Sequence, residues 1–311
     1  MRFAVIDLGT NTFNLLIAES NTDNSFVKIF NTKVAVKLGE GAINAGYIAD
    51  VPFQRGINAL KQFQQYLLDY DVEQTYAFAT SAIRSASNGL EFTAQAKKVA
   101  GMTISIIDGN EEADLIYYGT KMAVALSEKI SLIMDIGGGS TEFILANHNT
   151  LFWKQSYLLG AARLLDKFKP SNPITESEIT HFNSYVKKEL ASLYDAVKKF
   201  PPVELIGSSG AFDSVIDLIA EEFGTVSTND EVTEYSIDIK RYKTISKKII
   251  ASTIQERQNT KGLIEMRVDM IVISFLLIDF MINEFNIDTI RVSSFSLKEG
   301  VISKKLGLRC K

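Results

Sequence analysis

The chain is poor in the residues behind the more familiar chemistries. It has one cysteine in 311 residues, Cys310, next to the last. A single thiol excludes an intrachain disulfide and gives no sign of an oxidising compartment. The two histidines, His148 and His181, stand far apart in sequence, so they read as surface residues rather than metal ligands. Five prolines leave little room for a low-complexity tract. Basic charge is not in excess. A net charge of −4 argues against a dedicated nucleic-acid binder, though a local basic patch can still face an anionic substrate. Long apolar runs are missing too. The most apolar stretch, Met270 to Ile278, is closed by Asp279 and falls well short of the roughly 20 residues that span a bilayer. Asp7 interrupts the N-terminal run where a signal peptide would continue. The expectation is a cytoplasmic protein with no nucleic-acid or membrane partner.

What is present is ordinary for a folded chain. Hydrophobic residues at 46% and charged residues at 23% exclude disorder as the reading, and the length favours two domains over one core. Apolar runs at 2–6, 12–19 and 26–36 read as strands. A helix over 52–68, a strand over 72–79, a helix over 88–100, a strand over 103–107 and a helix over 110–126 follow. The pattern then restarts. Strands at 130–136, 142–146 and 151–157 precede helices at 161–168 and 176–199, the second with Thr175 and Glu178 spaced as a capping box. A strand at 203–206, helices after Gly210, at 239–253 and at 266–285, a strand at 287–292 and a terminal helix complete the chain. Two halves of mixed α/β type are therefore expected, residues 1–125 and 126–311, packed across a cleft. The last helix, about 297–311, is free to return to the first half.

Each half opens with the same device. Asp7-Leu8-Gly9-Thr10-Asn11-Thr12 and Asp135-Ile136-Gly137-Gly138-Gly139-Ser140-Thr141-Glu142 follow an apolar strand, with their aspartates 128 positions apart. Glycine lets the backbone turn or approach a ligand, and consecutive glycine peptides can form an anion-binding nest. Hydroxyls, amides and backbone N–H groups then suit a phosphate. Asp135 suits a Mg²⁺ that bridges phosphate oxygens.

These loops resemble the phosphate loops of the actin, hexokinase and heat-shock ATPase superfamily. The closer similarity is to the exopolyphosphatase and guanosine pentaphosphate phosphatase family. It is carried by residues 5–13, Ala79-Thr80-Ser81-Ala82-Ile83-Arg84, Gly109-Asn110-Glu111-Glu112-Ala113 and residues 135–142. It continues through Leu159-Gly160-Ala161-Ala162-Arg163-Leu164, Gly207-Ser208-Ser209-Gly210 and Ser296-Leu297-Lys298-Glu299-Gly300. The resemblance implies an α/β fold of two actin-like, ribonuclease-H-like domains facing a central cleft. It also implies hydrolysis of a terminal phosphate from polyphosphate or guanosine pentaphosphate. Glu112 is then the general base on water, and Glu142 its acidic partner. Asp135, Asp7 and Glu142 face a Mg²⁺ or another divalent cation. Thr10, Asn11, Thr12, Arg84, Gly137, Gly138, Gly139, Ser140, Ser208 and Gly210 face phosphate.

The sequence departs from the family at several points. Thr10 and Thr12 stand where serine is common, Asn14 where histidine is, Ala211 where threonine is and Lys298 where arginine is. The extra C-terminal helical domain of longer members is not expected here, and processive handling of long chains is accordingly a weaker expectation than hydrolysis itself. Trp153, Phe152 and Tyr157 read as core or cleft wall. Two basic clusters, one of Lys154, Arg163, Lys167 and Lys169 and one of Arg241, Lys243, Lys247 and Lys248, are either solvated helix faces or a track for a polyanion. An actin-like ATPase or small-molecule kinase, and a non-catalytic sensor of polyphosphate or nucleotide, remain alternatives. A homodimer is also open.

Overall fold

A computed structural model describes residues 1–229 and 231–310. In chain order the elements are β1 (Arg2–Leu8), β2 (Thr12–Ser20), β3 (Ser25–Ala35), α1 (Asp50–Asp69), β4 (Gln74–Ala79), α2 (Ser81–Ser85), α3 (Gly89–Ala100), β5 (Ile104–Ile106) and α4 (Gly109–Ala123). Then come β6 (Ser131–Ile136), β7 (Thr141–Ala146), β8 (Leu151–Tyr157), α5 (Ala161–Phe168), α6 (Glu176–Glu189), α7 (Ala191–Lys199), β9 (Glu204–Ser208) and α8 (Gly210–Phe223). The chain ends with β10 (Glu234–Ile237), α9 (Ile239–Ile250), α10 (Ile254–Gln258), α11 (Ile271–Glu284), β11 (Ile290–Ser293), α12 (Leu297–Leu306) and β12 (Arg309–Cys310).

Packing divides the chain into two compact units. One is Met1–Met122 together with the chain from Leu297 onward, and the other is Ala123–Ser296. Thr233 Oγ1 donates to the carbonyl of Ala123 and Glu234 accepts from the N–H of Ala125, which ties 123–125 to the second unit. Each unit is built on a six-stranded sheet, ordered β12-β3-β2-β1-β4-β5 in the first and β10-β11-β9-β6-β7-β8 in the second. The two share one plan. In each, three strands meander antiparallel, and the first of them then takes a parallel strand on its other side.

The residues explain these strands. All six positions of β6 are buried, which suits the apolar run 132–134 of a strand covered on both faces, with Ser131 and Asp135 buried at the two ends of that run. In β3, by contrast, burial alternates along the later part of the strand. At the start of β6 and β9, Arg291 donates from Nη2 and Nε to Glu204 at 2.7 and 2.9 Å, and Ser131 adds a bond to Glu204 at 2.6 Å. This bidentate pair fixes β6, β9 and β11 at the end away from Asp135.

Several expected boundaries shift. The helix expected over 176–199 breaks at Leu190, where ψ is 18°, and both Leu190 and Leu193 are then fully buried. Its Thr175–Glu178 capping box forms as expected. The helix expected from 266 begins at Ile271, after a 3-10 turn at Glu265–Arg267. From Ile271 to Ile282 α11 is apolar almost all round, which suits a helix inside a core. Among the described residues no helix is long and apolar enough to cross a membrane.

Candidate active site

The opening loops of the two units are the same turn. Gly9 N–H donates to Thr12 O at 3.1 Å, and Gly137 N–H donates to Ser140 O at 3.0 Å. A Cβ on Gly9 would stand 2.9 Å from Thr12 O, and one on Gly137 3.0 Å from Ser140 O. Neither glycine has a positive φ. Close approach of the turn to itself, rather than left-handed backbone, is what calls for glycine here.

In both units the loop carbonyls are drawn to one side. Asn11 O accepts from the N–H groups of Val36 and Lys37 at 2.9 and 2.8 Å, and Thr10 O from that of Leu38 at 2.7 Å. In the second unit the first turn of α5 does the same work. Ala161 N–H donates to Gly137 O at 2.9 Å, and those of Ala162 and Arg163 donate to Gly138 O at 2.9 and 3.1 Å. Arg163 Nε reaches Gly139 O at 2.9 Å. Across a planar trans peptide the C=O and the next N–H point opposite ways. Anchoring these carbonyls therefore aims the N–H groups of residues 138–140, and of 11 and 12, away from the anchor. Gly160 completes the fit, since a Cβ there would lie 2.4 Å from backbone atoms of both Gly138 and Gly139. Gly160→Ala is expected to displace the loop. Overpacking of this kind costs about 1–3 kcal/mol, read as a lowered Tm, with phosphate release falling further than the stability loss explains.

A polar row crosses the second sheet. Asp135 pairs in register with Glu142 on β7 and with Ser208 on β9, and Glu142 pairs with Ser156 on β8. Residues opposed in register project from one face, so the two carboxylates are neighbours. Both are buried. Ser156 Oγ donates to Glu142 at 2.6 Å. Asp135 accepts from Ser208 Oγ at 2.6 Å, Ser209 Oγ at 2.9 Å and Ser296 Oγ at 2.5 Å. Ser209 caps α8 with φ 67° and ψ 176°, a region almost reserved for glycine and costing about 1–3 kcal/mol. Its hydroxyl on Asp135 helps hold that strained backbone.

In the first unit, Asn14 Nδ2 donates to Asp7 at 3.2 Å, with Asn14 opposite Asp7 on β2 as Glu142 is opposite Asp135. Thr10 Oγ1 and Ser81 Oγ are buried without a hydrogen-bond partner. Buried hydroxyls are rarely left so; Thr10 is expected to face phosphate, and Ser81 lies three residues before Arg84, which is expected to do the same. Glu112, in the first turn of α4, is buried and accepts from Arg84 Nη1 at 2.7 Å. The same nitrogen donates to Ile107 O at 3.0 Å. Asp108 Oδ1 accepts the N–H groups of Asn110 and Glu111, both at 2.8 Å, and fixes the start of the helix.

The model of the Ppx/GppA phosphatase family matches residues 16–308. The chain belongs to the Ppx/GppA phosphatase family. As a phosphatase it is similar over 99% of its length to an exopolyphosphatase from Cytophaga hutchinsonii, 37% identical, covering 99% of that chain with a TM-score of 0.96. A Ppx/GppA family member of Aquifex aeolicus, 24% identical, shares the fold with a TM-score of 0.80 over 99% of this chain and 98% of that one. Exopolyphosphatase 1 of Mycobacterium leprae is 23% identical over 307 residues, 98% of this chain and 90% of its own. The fold is accordingly α/β with two actin-like units.

The geometry of the phosphatase refines several sequence readings. Ser208 is fully buried and its hydroxyl goes to Asp135 rather than outward. Arg84 is engaged with Glu112. Arg163, grouped above in a cluster read as a solvated helix face or a polyanion track, is instead buried and anchors the glycine loop. In the other cluster, Lys248 pairs with Glu222 at 2.7 Å, and Arg241 lies 5.2 Å from the Phe223 ring centroid.

One residue escaped the sequence reading. The Arg267 guanidinium lies on Gly210 at the head of α8, where a Cβ would come 1.6 Å from its Nη2. Its Nε is buried and has no hydrogen-bond partner. Burial pulls its pKa below the ordinary arginine value, while the carboxylates of Asp213 and Asp135 pull it back up. Arginine remains charged at neutral pH even so. A cation at the head of a mostly apolar helix is the available signal, and the expected helix start at 266 hides it by placing Arg267 inside that helix.

Proposed function

We propose that this phosphatase releases terminal phosphate from inorganic polyphosphate, and from guanosine pentaphosphate by the same chemistry. The observation that carries the reading is Glu112, a buried carboxylate held in one position by Arg84 and by a capped helix start. Water is a poor nucleophile, and a carboxylate so placed can orient it and take its proton. The water oxygen bonds to the terminal phosphorus and the bridging P–O bond breaks. Inorganic phosphate leaves, and the electron pair stays on the shortened chain or on the nucleotide. The transition state spreads negative charge over the transferred group, which outward N–H groups and a guanidinium such as Arg267 would stabilise.

The donor set limits how a divalent cation would bind. Among the described residues no group of three or more His, Cys, Asp and Glu side chains could hold a metal ion. Mg²⁺ fits such a site, because it commonly takes one or two carboxylates and completes its shell with water and phosphate oxygens. Asp135, with Glu142 beside it, would hold it in the second unit, and Asp7 is the corresponding carboxylate of the first. Bound there, it would neutralise charge on the phosphate oxygens.

The test is phosphate release from both substrates by the purified protein, with Mg²⁺ and with chelator. Release that depends on the divalent ion and needs no acceptor is the expected result. ADP formation from ATP only with an acceptor, and no release from polyphosphate, would make the protein a kinase. Saturable polyphosphate binding without release under any divalent ion would make it a sensor.

A further inference from the structure

We infer that the C-terminal helix α12 positions Glu112, through contact of the Gly300 backbone with the Leu115 backbone; this rests on the reading of Glu112 as the base. The segment Ser296-Leu297-Lys298-Glu299-Gly300 carries the family resemblance, yet residues 297–300 offer no evident chemistry. Their packing gives them a role. A Cβ on Gly300 would lie 1.7 Å from Leu115 O, 2.5 Å from its carbonyl carbon and 3.0 Å from its Cα. The two helix backbones therefore touch at this point, and only glycine allows it.

Leu115 lies three residues beyond Glu112, on the same face of α4. Whatever moves the Leu115 carbonyl moves the turn that carries Glu112. Two ion pairs bracket that turn, Lys305 with Glu111 at 3.2 Å and Lys304 with Asp114 at 3.0 Å. On α12 itself, Glu299 is buried and pairs with Lys28 of β3 at 3.5 Å. Leu297, Val301 and Ile302 are buried as well. The helix is thus seated on the sheet while its glycine face meets α4. Asp108 fixes the start of α4, Arg84 fixes the carboxylate, and α12 fixes the backbone between them. Gly300 is in this sense a positioning residue.

The experiment is a double-mutant cycle between Gly300→Ala and Glu112→Gln, read as kcat and KM for phosphate release. The added methyl must push the Leu115 carbonyl from 1.7 Å towards an ordinary contact of 3.4 Å or more. A misplacement of about 1 Å can cost on the order of 10²-fold, so kcat should fall by about 10- to 100-fold with KM within about twofold. With Glu112→Gln already present, adding Gly300→Ala should change the residual rate by less than about twofold. Equal loss in both backgrounds, or a matching rise in KM, would show a merely structural role and overturn the inference. If Glu112→Gln alone keeps the wild-type rate, the base assignment fails first and is seen to fail separately.

Should Gly300→Ala not fold, Lys305→Glu puts like charges at the same turn from the surface. It should lower kcat by about two- to fivefold, the size of an exposed pair, and adding Glu111→Lys should restore it. No loss with Lys305→Glu, or no restoration, would also overturn the inference.

Discussion

Glu112→Gln is expected to lower kcat for phosphate release by about 10²- to 10⁴-fold while leaving KM nearly unchanged, the span typical of losing a positioned general base. Glutamine keeps the shape of the side chain and an oxygen that can still accept from Arg84. What it cannot do is take a proton from water. The fold should survive, so Tm is the control. Glu112→Ala is the harsher change, because it also leaves Arg84 without its carboxylate and should cost stability of about 1–3 kcal/mol. Steady-state kinetics on polyphosphate, with thermal unfolding of the same samples, decide the matter. If the glutamine variant stays within about threefold of wild type, some other group deprotonates the water.

Asp135 should show the same pairing of effects in its two variants. Asp135→Asn preserves the volume and offers hydrogen-bonding atoms to Ser208, Ser209 and Ser296. Its Tm should change little, yet phosphate release should fall on the order of 10²-fold or more, with the charge that would hold a divalent ion gone. The loss should be partly recovered by raising Mg²⁺. Asp135→Ala strands the buried hydroxyl of Ser208 and removes an anchor from the strained backbone of Ser209. A stranded buried donor alone costs about 1–3 kcal/mol, so this variant should be unstable as well as inactive. An asparagine variant with normal turnover at low Mg²⁺ would overturn the proposal that Asp135 holds a divalent ion.

The features legible in the sequence were those whose cause is local. Apolar runs of strand length gave the two sheets, and Thr175 and Glu178 announced a capping box that forms. The glycine loops were visible because the turn requires glycine at that position. The features that escaped depend on partners far along the chain. Asp135 takes a hydroxyl from Ser296, 161 residues away, and no spacing rule connects them. Arg163 looked like one more surface cation beside Lys167 and Lys169, but its role is set by the carbonyl of Gly139. The short β10 and β12 carry too few residues to show a period. Arg267 was lost to a boundary, because Met266, Val268 and Met270 extend the apolar pattern of α11 back into a 3-10 turn whose backbone the sequence does not mark.

The anchored carbonyls of the two loops have an entropic meaning. A flexible glycine run must be ordered when an anion arrives, at about 1–2 kcal/mol for each residue fixed. Here Val36 to Leu38 in one unit and the first turn of α5 in the other have ordered it during folding. If phosphate binds at these loops as proposed, binding would draw on N–H groups already aimed, and departure of phosphate would leave them aimed. With the substrate proposed here, each turnover exposes a new terminus of the same shape as the last. A cradle that neither collapses nor has to be rebuilt can meet every such terminus alike.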